Sequence, residues 1–278
     1  MPVDVPVRFA LNHMTAPQLP LADLFALARK VGISDVEIRN DLAGLPIADG
    51  TPAATVRKIA GDHGVTILTI NALQKFNRWS AERAAEAEAL ADYAAACGSL
   101  GLILVSANDG ADADPKSRVA HATESLAALK PILSARGVTG YVECLGFATC
   151  SLSSKREAVQ AIKAVKGDGV FKLTHDTFHH TLAGEPDIFP AETGLIHISG
   201  VEDPKLTIGD MRDAHRVLVG PADRLGNVAQ ISALRAAGYT GPLSFEPFAP
   251  EFRQLADPAS AIRASMDFIR TQLAAVAA

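Results

Sequence analysis

Four short segments decide how this chain is read: Tyr141-Val142-Glu143-Cys144, Leu173-Thr174-His175-Asp176, Leu195-Ile196-His197-Ile198-Ser199 and Leu243-Ser244-Phe245-Glu246. Each is a short apolar run carrying one residue able to bind a metal, in three cases near its C-terminal end. Read as β-strands, their side chains alternate between two faces. Val142, Cys144, Leu173, Ile196, Ile198, Leu243 and Phe245 then share one face, and Glu143, Asp176, His197 and Glu246 the other. In three segments the ligand's neighbour on its own face is Thr174, Ser199 or Ser244, so that face is small and polar. Two Glu, one Asp and one His converging at one end of a parallel sheet suit a hard divalent cation.

Working outward, the same alternation recurs along the chain. Val7 to Asn12 reads as a first strand and Leu21 to Val31 as a helix stopped by Gly32. Asp35-Val36-Glu37-Ile38-Arg39 alternates cleanly, with Glu37 and Arg39 opposite Val36 and Ile38. Thr51-Pro52 opens a helix that closes near Gly64, and Val65 to Asn71 is a third strand. A helix from Ser80 to Gly98, a strand from Leu102 to Ser106 and a helix from Lys116 to Arg136 follow. Val138 to Cys144, Phe171 to Asp176, Gly194 to Ser199 and Pro242 to Glu246 complete the strands. Helices are expected from Ser153 to Val165, Asn227 to Ala237 and Pro258 to about Ala274, with a long loop after the seventh strand. Strands recur mostly every ~30 residues, the spacing of repeated right-handed β-α units. This pattern predicts an α/β fold, a single (β/α)8 TIM barrel occupying residues 1–278 as one domain. An open doubly wound sheet is the competitor, but no G-x-G-x-x-G follows an early strand. In a barrel, the C-terminal strand ends form the site, and Asn12, Arg39, Asn71, Glu143, Asp176, His197 and Glu246 all fall there.

Composition narrows the partners. Hydrophobic residues make up 48% of the chain, enough for a sizeable core. The net charge of −5 and the lack of a Lys/Arg block argue against a nucleic-acid partner. Cys97, Cys144 and Cys150 are odd in number and lack C-x-x-C spacing, so no disulfide framework is expected and outward-facing Cys144 reads as core. The start, Met1-Pro2-Val3-Asp4-Val5, shows no secretory signal, and no apolar run reaches membrane-spanning length. The expectation is a soluble cytoplasmic protein acting on a small molecule, with a homo-oligomer left open.

A polar residue at one strand end is often only a rim residue; four in phase on successive strands point to a metal. Oxygen-rich ligation with one imidazole suits Mn, Mg, Co or Zn alike. Four protein ligands leave room for two substrate oxygens. A cation on a carbonyl oxygen and its neighbouring hydroxyl acidifies the C–H between them. Carboxylates on either side can then remove and return a proton, a role open to Glu143 and Glu246. The residues therefore point to proton transfer alpha to a carbonyl on a polyhydroxy ketone. His179, three residues after Asp176, is a candidate substrate contact against an ordinary loop histidine, as is Arg216 against a surface arginine. Asn71 and Arg39 join them as candidate substrate contacts. His180 is left as an exposed loop residue, His175 is expected to face the helix layer, and His13, His63, His121 and His215 have no evident partner. The acidic run Asp109 to Asp114 reads as a solvated loop.

At these residues the chain resembles the sugar isomerase/epimerase branch of the xylose-isomerase-like barrels, and within it the inosose (2-keto-myo-inositol) isomerases. The resemblance spans nearly the whole chain. It rests on Val36-Glu37-Ile38-Arg39, Asn71-Ala72-Leu73 with Phe76-Asn77, Glu143 with Gly146, Asp176-Thr177-Phe178-His179, His197 with Glu202-Asp203, Arg216-Val217, and Phe245-Glu246-Pro247-Phe248 with Pro250-Glu251. It implies that Glu143, Asp176, His197 and Glu246 hold the metal, that the two glutamates move protons, and that His179 and Arg216 bind substrate. It further implies conversion of 2-keto-myo-inositol to 1-keto-D-chiro-inositol in inositol catabolism. One departure is Gly220-Pro221-Ala222-Asp223, where related enzymes often carry a Gly-x-Gly turn at the mouth of the site. Ketose 3-epimerase, hydroxypyruvate isomerase and inosose dehydratase activities share such a metal site. A phosphodiester-cleaving barrel would need further histidines on the earlier strands, and a non-catalytic carbohydrate-binding barrel would leave the glutamate pair idle.

Overall fold

In the computed structural model, which describes residues 6–42, 47–111 and 114–277, strand and helix alternate until the sheet closes on itself. The strands are β1 (Phe9–Asn12), β2 (Asp35–Arg39), β3 (Thr66–Gln74), β4 (Gly101–Val105), β5 (Thr139–Glu143), β6 (Phe171–Asp176), β7 (Thr193–Ile198) and β8 (Leu243–Phe245). The helices are α1 (Leu21–Lys30), α2 (Ala53–His63), α3 (Ala81–Cys97), α4 (Pro115–Ser134), α5 (Lys155–Ala164), α6 (Thr177–Ala183), α7 (Asn227–Ala236) and α8 (Pro258–Ala277). Every strand pairs in parallel with its sequence neighbours, and β1 pairs with β8 to complete the (β/α)8 barrel. The local chemistry agrees with the boundaries. The Ser80 side chain accepts the Arg83 N–H to open α3, and Gly98 closes it in the left-handed region. Asp114 caps α4 in the same way through Ser117.

Alternation along the strands separates two apolar layers. Val36, Ile38, Leu102, Leu104, Val142, Leu173, Ile196, Ile198 and Phe245 lie between sheet and helices in the main core. Inside the barrel a smaller cluster, Ala10, Leu68, Ile103 and Leu195 with Tyr141 against it, fills the lower part. Two residues further along the same strand faces come Asn12, Glu143 and His197. The interior therefore changes from apolar to polar within one side-chain layer, towards the C-terminal strand ends.

Several boundaries differ from the sequence reading. β3 runs on to Gln74, with its register against β4 shifting between Ile70 and Leu73. β8 is only three residues long, so Glu246 follows the strand, anchored by its N–H to the Ile198 carbonyl at 2.9 Å. The segment after Asp176 is helix α6, which corrects the exposed loop assigned to His180. Asp176 caps it and Gly184 ends it in the left-handed region. His180 is consequently partly buried, with its Nδ1 at 2.7 Å from Lys155 Nζ. His175 does face the helix layer, its Nε2 at 2.9 Å from Gln230 Oε1 on α7. Cys97, Cys144 and Cys150 are free and buried. Among the described residues no helix is long and apolar enough to cross a membrane. The N-terminal Met1 to Val5 and part of the acidic Asp109 to Asp114 run lie outside the described residues.

Candidate metal centre

Parallel pairing sets the ligands side by side. Asp176 is in register with His197, and Glu143 ends the strand next to β6. Glu246 follows β8, the other neighbour of β7. Glu143, Asp176, His197 and Glu246 each offer one ligand atom, and these atoms lie within 4.8 Å of one another. All four residues are buried. Asp176 and His197 are also held from behind. Asp176 Oδ1 accepts the N–H groups of Phe178 and His179 at 2.7 and 3.2 Å, so the helix cap fixes the carboxylate and turns Oδ2 towards the others and Arg216. His197 Nδ1 lies 2.9 Å from Glu143 Oε1 and 3.2 Å from Glu246 Oε2, and its Nε2 points the other way, to Glu37 at 3.2 Å.

Two buried arginines bracket Glu246. Arg39 Nη1 donates to Glu246 Oε1 at 2.7 Å while its Nε and Nη2 hold Asp41. Arg216 Nη2 donates to Glu246 Oε2 at 3.0 Å and to Asp176 Oδ2 at 2.7 Å. Its Nε reaches Ser199 Oγ at 2.9 Å and Nη1 reaches Asp213 at 3.2 Å. The Phe248 ring lies against both guanidiniums, with centroid distances of 5.4 Å to Arg39 and 4.6 Å to Arg216.

These partners give the two ring glutamates different proton affinities. Burial raises the Glu143 pKa, and His197 only partly offsets it. Burial also opposes the charge of Glu246, but His197, Arg216 and Arg39 outweigh it and hold that carboxyl well below its ordinary range. Asp176 is lowered for a similar reason: burial raises it, and Arg216 with His179 overcomes that. His197 itself would be lowered by burial, yet Glu246, Glu37 and Glu143 hold it well above its ordinary value.

The donor set fits a divalent cation. Counting Glu37, the buried carboxylates at this end of the barrel are four among the described residues, and the buried guanidiniums two. That leaves an excess of two negative charges when the imidazole is in its neutral, metal-ligating form. A doubly charged ion offsets such an excess, and three carboxylates with one imidazole are ligands that Mn, Mg, Co or Zn accept. Such an ion would be held by Glu143, Asp176, His197 and Glu246.

The remaining candidates fall at distinct positions around this ring. His179 is buried on α6 between the Phe147 and Phe178 rings, and its Nδ1 has no hydrogen-bond partner among the described residues. Arg39 and Arg216 lie beside the ring, held by the ion pairs above. Asn71 lies beneath it, donating from Nδ2 to Glu37 Oε2 at 3.0 Å. Two further residues, Glu37 and Ser199, escaped the sequence reading of the site, and Asn12, placed there at a strand end, was given no role. Glu37 is fully buried below His197. Asn12 bridges Glu37, Glu246 and Arg39, with its Oδ1 accepting from Arg39 Nη1 at 3.0 Å. Ser199 anchors Arg216. The signal for Glu37 was its place on the same strand face as Arg39.

Gly146 sets the position of α6. A Cβ there would come within 2.1 Å of the His179 carbonyl oxygen and 2.7 Å of Leu182 Cβ, so backbone would have to move. Gly146→Ala is therefore expected to displace His179 and Asp176 together. It should lower metal affinity and turnover by more than tenfold while costing about 1–3 kcal/mol of stability. Metal titration beside thermal melting checks this.

A family model described as the xylose isomerase-like TIM barrel matches residues 25–272. The chain belongs to that family. The inosose isomerase of Bacillus licheniformis is 30% identical over 139 residues, 49% of this chain and 49% of that protein. The chain thus spans about half the length of the curated relatives it matches. Among solved structures, a xylose isomerase domain-containing protein from Salmonella typhimurium LT2 superposes with a TM-score of 0.89 at 30% identity, covering 96% of this chain and 99% of that one. The IolI protein, solved with a zinc atom, superposes with a TM-score of 0.83 at 22% identity, covering 97% and 99%. This xylose isomerase-like barrel accordingly stands in the sugar isomerase/epimerase superfamily, with inosose isomerases among its homologues.

Proposed function

We propose that this family member is a divalent-metal-dependent isomerase that moves a proton alpha to the carbonyl of a polyhydroxy ketone. The substrate we propose is 2-keto-myo-inositol, converted to 1-keto-D-chiro-inositol. The observation that carries the reaction class is a pair of buried glutamates in one four-ligand ring whose surroundings drive their proton affinities apart. The choice of an inosose rests on the inosose isomerases that match half of the chain.

When bound, the cation would polarise a carbonyl oxygen and its neighbouring hydroxyl and offset the negative charge left as the C–H between them ionises. Glu246, kept ionised by Arg39 and Arg216, is the group that takes the proton. A substrate oxygen that draws an N–H from either arginine would raise Glu246's proton affinity at the moment it is needed. Glu143 has no guanidinium partner and is the better proton donor, so it returns a proton from its own side. His179, with its free Nδ1, binds a substrate hydroxyl, as does Arg216. The proposed substrate is neutral. Among the described residues, Arg39 and Arg216 already hold carboxylates through most of their N–H groups, so neither arginine is free to pair with the carboxylate of a substrate such as hydroxypyruvate.

Proton NMR in deuterated water tests this with keto-inositols, ketohexoses and hydroxypyruvate. Deuterium entering one carbon of 2-keto-myo-inositol, together with a new ketone isomer, is the expected result. Inversion at C3 of a ketohexose would instead mean an epimerase, and loss of water a dehydratase. Binding without exchange on every substrate would leave a carbohydrate-binding barrel and end the isomerase reading.

A further inference from the structure

Beneath the ligand ring sits a carboxylate that the proposed chemistry does not use. Glu37, on β2, is completely buried and accepts from four side chains besides His197. Asn12 Nδ2 donates to Oε1 at 3.2 Å, and Ser244 Oγ donates to the same oxygen. Thr69 Oγ1 and Asn71 Nδ2 donate to Oε2 at 2.6 and 3.0 Å. These donors come from β1, β3 and β8, so the carboxylate is pinned from several sides and its lone pairs are nearly all used. The remaining interaction is with His197 Nε2 at 3.2 Å.

That interaction has a consequence for the ring above. A histidine that ligates a metal is neutral and carries one proton, on the nitrogen turned away from the ion. Carboxylates face both nitrogens of His197, but those at Nδ1, Glu143 and Glu246, belong to the ligand ring, whereas Glu37 lies behind it with its oxygens filled by donors, so the one proton of a ligating His197 belongs on Nε2, facing Glu37. Nδ1 is then left with a lone pair, and Nδ1 is the atom that faces Glu143 and Glu246. We propose that Glu37 is a positioning residue, which accepts a hydrogen bond from the Nε2–H of His197 and thereby leaves the Nδ1 lone pair facing the centre of the ligand ring. A carboxylate behind a ligating histidine fixes both ring orientation and tautomer, and losing one costs typically 10–100-fold in metal affinity. Thr69 and Ser244 act one step further back by holding Glu37. The purely structural alternative is that Glu37 only satisfies the polar groups inside the barrel.

Zinc alone serves as the probe. In zinc-loaded protein with 15N-labelled histidine, long-range proton–nitrogen spectra should show His197 carrying its proton on Nε2 with Nδ1 on the metal. Glu37→Gln should bind zinc ~10–100-fold more weakly in competition with a chromogenic chelator, with the Nε2 proton resonance lost or shifted. Thr69→Val should weaken zinc binding by less. A His197 that binds zinc through Nε2, or a Glu37→Gln protein with native zinc affinity and an unchanged Nε2 resonance, overturns the assignment. If Glu37→Gln does not fold, the wild-type spectrum still decides. The inference rests on the metal-site reading of the proposed function: wild-type protein that takes up no zinc ends both, whereas zinc held through Nε2 ends this one alone.

Discussion

Glu246→Gln is expected to slow proton exchange on the keto substrate by ~10²–10⁴-fold, the range lost when a general base is removed. The amide keeps the size of the side chain but offers neither a negative charge nor a proton acceptor. It also weakens one of four ligands, so the measurement belongs at saturating metal, with occupancy checked on the same sample. The fold should survive. Arg39 retains Asp41, and Arg216 retains Asp176 and Asp213, so neither guanidinium is stranded. The stability cost should stay near 1–3 kcal/mol, that of lost hydrogen bonds to a charged group.

Glu143→Gln separates the two glutamates. If Glu246 takes the proton and Glu143 returns one, the Glu143 variant still ionises the C–H and exchanges with solvent from the Glu246 side. Deuterium should then enter unreacted substrate while product formation falls by ~10²-fold or more. The Glu246 variant should lose both. Deuterium wash-in that stops in the Glu143 variant and persists in the Glu246 variant would reverse the two roles.

Why these groups were legible from sequence, and others were not, follows from the range of the interactions. Period-two alternation is local, so it put Glu143, Asp176 and His197 on the inward face and grouped Glu37 with Arg39. It also put Glu246 beside them although the backbone there has already left the strand; the hydrogen bond to Ile198 continues the pattern by one residue. Glu37's role depends on partners on β1, β3, β7 and β8, up to 207 residues away in the chain, and no local pattern encodes them. Arg216 posed the same difficulty. Beside Ala214 and His215 it reads equally as a surface residue, and only the folded chain shows it almost fully buried against Asp176 and Glu246. Helix α6 was missed for a different reason: at seven residues it is too short for helical periodicity to register. Its signals were Asp176 as a cap and Gly184 as a stop, and the first was read only as a ligand. One side chain serves both purposes, because a carboxylate has one oxygen for the helix amides and one for the ring.

Arg216→Met should be the most destabilising single change at the site in metal-free protein, by about 3–5 kcal/mol. Methionine keeps the apolar stem, so the loss is that of the guanidinium, with its ion pairs and its contacts over the Phe178 and Phe248 rings. Removing the guanidinium leaves Asp176 Oδ2 without its partner, and leaves Glu246 with Arg39, His197 and Asn12. Uncompensated charge in a buried setting is what makes breaking an internal ion pair costly. In a chain of this size the melting temperature should fall by roughly 10 °C. A divalent cation at the same carboxylates would offset much of that charge, and a ligand that binds only the folded state stabilises it by mass action. Saturating metal should therefore raise the melting temperature of Arg216→Met by more than it raises that of the wild type. Melting curves of both proteins with and without metal measure the coupling directly. An equal shift in the two would mean that Arg216 and the cation do not share these carboxylates. An unchanged metal-free melting temperature would mean that the arginine does not offset their charge.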